Sequence, residues 1–323
     1  MICLGIESTA HTFGVSILKD KKVLSNVYDT YKTEKGGIIP AEAAKHHEQL
    51  KDSLILMALR EAKISLADID LIAYSMSPGL APCLRVGTMA AKELGEKLNK
   101  PVIGVNHCIA HLEIGSMLTG AKDPVLLYAS GANTQIIAYA AGKYRIFGET
   151  LDLGIGNFID TFARTAGLGF PGGPKIAELA NKSNNLIELP YSVKGMDVSF
   201  SGMLTNLQQK LKSGTNLEDL SYSLQETAFA MLLEVSERAM AHLGKKELLL
   251  GGGVACNSRL QEMAKKMCEE RGAKMFCPER QFLVDNAAMI AWLGIISFKS
   301  GNRTKEIDFD PAERTDQVDV RWR

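Results

Sequence analysis

The chain has 323 residues, of which 46% are hydrophobic, and its 37 Lys plus Arg balance 37 Asp plus Glu to a formal charge of zero. That composition excludes a disordered chain of low hydrophobicity and high charge, and the length suffices for two domains or one large one. Bulk charge offers no attraction to a polyanion, so any nucleic-acid contact must come from a local patch or another subunit. The cysteines, Cys3, Cys83, Cys108, Cys256, Cys268 and Cys277, form no C-x-x-C pair and no zinc spacing, and read as reduced thiols of the cytosol. Met1 runs straight into Ile2-Cys3-Leu4-Gly5-Ile6 without a basic leader. The most apolar stretch, Ala287 to Phe298, is shorter than the ~20 residues of a spanning helix. A cytoplasmic protein without membrane contact is expected.

Ile2 to Ile6 and Phe13 to Leu18 are short apolar runs joined by Glu7-Ser8-Thr9-Ala10-His11-Thr12, with Val23 to Tyr31 as a third strand. This reads as a hairpin whose turn faces a ligand. Pro40 opens a long helical pattern with Leu50, Leu54, Met57 and Ala58 on one face. Leu71 to Ser75 then reads as a strand, Arg85 to Leu98 as a helix and Val102 to Val105 as a strand. From Pro124 the opening pattern returns: Val125 to Ala129, a turn through Ser130-Gly131-Ala132-Asn133, then Thr134 to Ala141 and Tyr144 to Glu149. Laid over each other without a gap, the two segments match Leu4 with Leu126, Ser8 with Ser130 and Thr12 with Thr134, which points to internal duplication. Helical patterns follow at Asn157 to Ala166, Pro174 to Asn181, Leu204 to Leu211 and Leu217 to Leu243. Leu248 to Leu250 is a buried strand that runs into Gly251-Gly252-Gly253 and a helix from Ser258 to Glu270, an order that places backbone N–H groups beside a ligand. Asp285 precedes a last apolar helix to Lys299 and a charged tail.

His107 and His111 lie one helical turn apart, a bidentate half-site for a metal that needs a carboxylate to complete it. Asp285 is one candidate, although Asp before an apolar helix commonly serves as an N-cap. No glutamate follows His107, so the H-E-x-x-H protease signature is absent. The small residues of Tyr128-Ala129-Ser130-Gly131-Ala132-Asn133-Thr134 suit a phosphate-bearing ligand held by amides and hydroxyls. Gly167 to Lys175 is a glycine-rich approach to a helix that carries Glu178, and Met196 to Gly202 alternates like a short strand. His46 and His47 read as a solvated helix face.

Taken together, these motifs resemble the universal tRNA threonylcarbamoyltransferase family, formerly described as sialoglycoprotease, within the actin-like ATPase (ASKHA) superfamily. The residues that carry the resemblance span nearly the whole chain: Gly5 to Thr9, Pro78-Gly79, His107 and His111, Tyr128 to Thr134, Gly154 with Asp160, Phe170 to Pro174, Phe200 to Gly202, Gly251 to Asn257 and Asp285 to Ala291. Tyr128 and the Ser-Gly-Ala-Asn turn are similar to the archaeal and eukaryotic branch, the catalytic subunits of the KEOPS complex. The resemblance implies an α/β fold of two ribonuclease-H-like domains with a cleft between them, expected at 1–122 and 123–323, the second with a helical insertion over approximately 157–245.

It also implies roles. His107, His111, Tyr128 and Asp285 would hold one Fe(II) or Zn(II), a donor set that suits either ion. Tyr128, Ala129, Ser130, Gly131, Ala132, Asp160, Gly173, Glu178 and Asn257 would hold the adenine nucleotide of threonylcarbamoyl-adenylate, or ATP. The implied reaction is acyl transfer to N6 of the adenosine beside the tRNA anticodon, with release of AMP. Glu7 stands where kinase-like members of the superfamily usually carry aspartate, so ATP hydrolysis of their kind does not follow. No residue stands out as general base; His46 and His47 are the candidates. Expected partners are tRNA and the other KEOPS subunits, including a small protein kinase that some members carry fused beyond a tail such as Asp316 to Arg323. An actin-like ATPase and a metalloprotease are the competing readings.

Overall fold

The computed structural model describes residues 1–33 and 37–323. In chain order these supply β1 (Ile2–Glu7), β2 (Thr12–Lys19), β3 (Lys22–Thr30), α1 (Pro40–Ala62), β4 (Leu71–Ser77), α2 (Ala81–Leu98), β5 (Val102–Asn106) and α3 (His107–Thr119). Then come β6 (Val125–Ala129), β7 (Thr134–Ala140), β8 (Lys143–Glu149), α4 (Ile155–Thr165), α5 (Gly173–Ala180), β9 (Val193–Lys194), β10 (Asp197–Val198), α6 (Ser201–Lys212) and α7 (Leu217–Leu243). Last are β11 (Glu247–Gly251), α8 (Ser258–Glu270), β12 (Lys274–Phe276), α9 (Arg280–Leu283) and α10 (Ala287–Lys299). Contacts group the described residues into two units. Met1–Leu118, Ala141–Tyr144 and Val284–Arg323 form the first, and Thr119–Ala140 and Arg145–Leu283 the second.

In the first unit the sheet order is β3-β2-β1-β4-β5, with β1 antiparallel to β2 and parallel to β4. Successive side chains of a strand point to opposite faces. Leu4 and Ile6 share a core with Leu54 and Ile55 of α1 and Ala90 and Ala91 of α2. Gly5 faces the other way, where a Cβ would lie 2.5 Å from the Ala287 carbonyl oxygen. The missing side chain is what lets α10 lie against β1. Because α10 is apolar all round it needs cover on all sides, and Ala287 to Ala291 are fully buried.

The second sheet has the order β12-β11-β6-β7-β8, which is the first order with β6 in the place of β1. Sheet topology thus carries the duplication that the sequence suggests. The strand ends keep the ungapped overlay, Glu7 with Ala129 and Thr12 with Thr134, but the pairing across the two hairpins differs. The first ladder closes at Glu7 opposite Gly14 and leaves six residues, Ser8–Phe13, between them. The second closes at Ala129 opposite Thr134 and leaves four. A two-residue shift preserves which face each side chain takes, so the facing survives while the register changes. Against this sheet pack α4, α6, α7 and α8 in one core that holds Leu127, Phe158, Phe200, Phe229 and Leu250.

The expected domain division at 122/123 lies close to the first change of unit at 118/119. Val284–Arg323 departs from it: this segment groups with the first unit because α10 packs on β1, β2 and β4. A return of the chain to an earlier sheet leaves no mark in local pattern. α2 begins at Ala81 rather than Arg85, with Pro82 in its first turn, where a missing N–H costs nothing. Within the alternation at Met196 to Gly202 only Asp197–Val198 is a strand, β10, which pairs with β9, and Ser201 and Gly202 open α6. Among the described residues, no helix is long and apolar enough to cross a membrane.

Candidate metal centre and nucleotide-binding turn

In the first unit, β5 hands the chain directly to α3, and Asn106 caps that helix by accepting from the backbone N–H of Cys108 (3.1 Å) and Ile109 (3.2 Å). His107 and His111 therefore project from adjacent turns of one helix. Their Nε2 atoms lie 3.4 and 3.5 Å from the same Asp285 oxygen, and one ligand atom from each of the three residues falls within 4.8 Å of the others. Asp285 is not the cap of α10. Asn286 does that work, accepting from Met289 N–H at 3.1 Å, which leaves the Asp285 carboxylate facing the imidazoles.

Burial alone would raise the Asp285 pKa, but hydrogen bonds and charge from His107, joined by His111, hold the carboxyl well below the usual range. Burial pushes His111 down, against the pull of Asp285. Two buried imidazoles and a half-buried carboxylate are the donor set of a divalent transition ion, so the residues fit the metal that the resemblance implies.

Glu7, at the end of β1, was not among the ligands expected from sequence, and it supports them from behind. It is fully buried, and its Oε2 accepts from His107 Nδ1 at 3.0 Å. Its Oε1 accepts from the Thr9 N–H (2.7 Å) and hydroxyl (2.5 Å). A proton held on Nδ1 would leave Nε2 free to coordinate a metal, the arrangement by which a carboxylate orients a metal-binding histidine. Sequence separation of 100 residues hides this pair. The only hint was an acidic residue at the start of a ligand-facing turn.

His46 and His47 are not a solvated face. His47 is fully buried, its Nε2 meets the Ala10 carbonyl at 3.0 Å, and its Nδ1 lies 3.3 Å from His46 Nδ1. His46 Nε2 in turn meets Asp29 at 2.9 Å. Burial lowers the His47 pKa to about 4, so this residue is neutral where it braces the first turn.

In the second unit, Tyr128 is buried near the end of β6, where it pairs with Gly251 of β11. Gly251-Gly252-Gly253 passes close to the β6–β7 turn: Gly252 has φ +88, and a Cβ on it would lie 2.4 Å from the Ala129 carbonyl oxygen. Only glycine accommodates both that backbone and that approach. Ser130 closes the turn with Asn133 (N–H to carbonyl, 2.9 Å). The carbonyls of Ser130 and Gly131 accept from Gly156 (3.0 Å) and Asn157 (2.9 Å) at the start of α4. Among the described residues no hydrogen bond uses the Gly131 or Ala132 amide, and both residues are exposed.

Asp160 of α4 accepts from Gly172 N–H at 2.7 Å and so ties α4 to the residue that precedes α5. Gly173 opens α5 with open space about it, and Glu178 on the same helix is exposed and pairs with Lys182 (3.5 Å). Asn257 has a structural duty: its oxygen caps α8 through Arg259 N–H (2.8 Å), and its amide donates to Gln225 (2.6 Å). Of the predicted nucleotide residues, Ser130, Gly131 and Ala132 form the turn, whose carbonyls bond the start of α4, and Asp160 links α4 to the residue before α5.

A family model described as TsaD, tRNA N6-adenosine threonylcarbamoyltransferase, matches residues 22–292. A protein of Thermococcus sibiricus named tRNA N6-adenosine threonylcarbamoyltransferase is 57% identical over 325 residues and is covered over 100% of both chains. A Methanosarcina mazei protein named probable bifunctional tRNA threonylcarbamoyladenosine biosynthesis protein is 54% identical over 99% of this chain, which spans 59% of that relative. Among solved structures, the activator of the 2-hydroxyisocaproyl-CoA dehydratase from Clostridium difficile, with bound ADPNP, aligns with a TM-score of 0.58 at 12% identity, over 95% of this chain and 100% of its own. At that identity the likeness speaks for the fold alone, and the fold is that of the actin-like ATPases.

Proposed function

The chain belongs to the tRNA N6-adenosine threonylcarbamoyltransferase family, and from that premise we propose that it moves the threonylcarbamoyl group of threonylcarbamoyl-adenylate to N6 of adenosine 37, beside the tRNA anticodon. The observation that carries the reading is the cluster of buried His107 and His111 with half-buried Asp285, and Glu7 behind His107, in a chain of this family. N6 attacks the carbamoyl carbon, the bond from that carbon to the AMP phosphate oxygen breaks, AMP leaves with the electron pair, and the N6 proton is lost to solvent.

His107, His111 and Asp285 would hold Fe(II) or Zn(II), which when bound supplies Lewis acidity toward a carbonyl or phosphate oxygen. Glu7 keeps His107 in the tautomer that can coordinate. The Gly131 and Ala132 amides are donors for phosphate oxygens, in the manner of a backbone nest. Glu178 accepts from ribose hydroxyls. The metalloprotease reading needs a carboxylate base on the open side of the metal. Glu7 does not serve, because it faces Nδ1 of His107 and is held by Thr9.

With no net charge, the chain alone attracts tRNA phosphates weakly. The other KEOPS subunits are the proposed source of tRNA affinity, and relatives named bifunctional support a second activity working beside this one, for which the small protein kinase is the candidate. The test is mass spectrometry of nucleosides from tRNA incubated with threonylcarbamoyl-adenylate and the complete complex. Wild type should yield threonylcarbamoyladenosine in a salt-sensitive way, and the chain alone little. No product with the complete complex, or as much with Asp285→Ala, would overturn the assignment.

A further inference from the structure

We infer that the stretch from Asp308 to Arg323 is a strap that positions α3, and that Glu313 and Glu113 are its two anchor points for the metal-binding histidines. The inference rests on the metal reading above. Two contact points along one helix carry it. At the head of α3, Asn106 caps the helix with its oxygen while its amide donates to Glu313 Oε2 at 3.3 Å; the same carboxylate oxygen accepts from the Ser77 hydroxyl. Half-way along, the buried Glu113 Oε1 accepts from Trp322 Nε1 at 2.8 Å and Arg323 Nε at 3.3 Å, and also from the Tyr144 hydroxyl.

The strap is itself fastened to the sheet. The Tyr74 hydroxyl donates to the Asp308 carbonyl (2.7 Å), Asp310 N–H to the Met76 carbonyl (3.1 Å) and Gly79 N–H to the Pro311 carbonyl (3.3 Å). It is therefore held at the end of β4 and along α3. His107 and His111 lie between the Asn106 and Glu113 anchors. Their partner Asp285 belongs to a different element, so the meeting of the three depends on the rotation and axial position of α3.

Hydrophobic patterning does not set that rotation. Every residue of α3 from His107 to Gly115 is buried, and a helix covered all round has no apolar stripe to tell one face from another. Directional polar contacts specify what burial leaves open. Glu313 and Glu113 supply them at the two ends of the histidine pair, and neither is part of the ligand set.

Cobalt(II) is the probe, since its visible d–d bands report coordination geometry independently of transfer activity. Apo protein would be titrated with cobalt in competition with a chelator, with circular dichroism recorded for each variant. Glu313→Ala and the pair Trp322→Ala/Arg323→Ala should each weaken cobalt binding roughly 10- to 100-fold, the range for lost support of a metal ligand, and should shift the bands. Glu313→Gln, which keeps an acceptor for Asn106, should restore most of the affinity. Arg321→Ala, which removes only a pair with Asp319 (2.7 Å) in the same stretch, should match wild type. If an alanine variant fails to fold, Glu113→Gln provides the same test with its acceptor oxygen retained and its charge to Arg323 removed. Unchanged affinity and bands in folded strap variants would overturn the strap alone. A wild type that binds no cobalt would overturn the metal reading and the strap with it.

Discussion

The two copies of the opening hairpin use one backbone plan for different chemistry. In the first, six residues separate the last paired positions, and the turn follows Glu7, a fully buried carboxylate beside His107. His47, likewise buried, meets the same turn at the Ala10 carbonyl. In the second, the turn is four residues long and has no ionisable side chain, and the exposed Gly131 and Ala132 offer backbone amides. A carboxylate suits the support of a cation, and uncharged amides at a close backbone approach suit an anion. Duplication supplied the frame. Turn length and side-chain charge decided what each copy presents.

If that contrast holds, titration should reveal it first. His47 is neutral in the folded chain with a pKa near 4, against 6.5 for the free side chain. The unfolded state then binds the extra proton first, so stability falls as pH drops from 6.5 toward 4, by about 3 kcal/mol in total. His47→Gln should flatten chemical-denaturation midpoints across that window. An unchanged slope would remove His47 as the titrating brace of the first turn.

Next in size is Glu7→Gln, which should lower metal affinity roughly 10- to 100-fold while leaving adenine-nucleotide binding intact. Elemental analysis after dialysis against chelator reads the first quantity and calorimetry the second, and a loss of both would break the division of labour. Gly252→Ala is the mirror experiment: a Cβ 2.4 Å from the Ala129 carbonyl must push two loops apart. The cost should be about 1–3 kcal/mol, with nucleotide affinity reduced and metal content kept. Smallest is Glu178→Ala. Loss of hydrogen bonds from an exposed carboxylate to ribose should weaken nucleotide binding by about two- to tenfold, and calorimetry showing undiminished affinity would take Glu178 out of the site.

Local sequence sufficed wherever the signal was local. The 3.6-residue period of α7 matches its observed span Leu217–Leu243, and the strand before Gly251 and the helix from Ser258 lie where the pattern puts them. The i, i+4 histidines needed only a helix beginning at His107. Other contacts had no local signature. Asp285 reads as an N-cap until Asn286 is seen to fill that place, and His46-His47 reads as a surface pair until β2 and the first turn close over it. Glu7 and His107 stand 100 residues apart, and Glu113 and Arg323 stand 210 apart.

The sequence alone therefore determined most of the secondary structure, the duplication and the histidine half-site, because periodicity, glycine turns and helical spacing act over a few residues. Tertiary structure decided which carboxylate faces the histidines, which one stands behind them, and that Val284–Arg323 joins the first unit. Those choices depend on how sheets and helices stack, and a chain shows no local trace of the neighbour that will cover it.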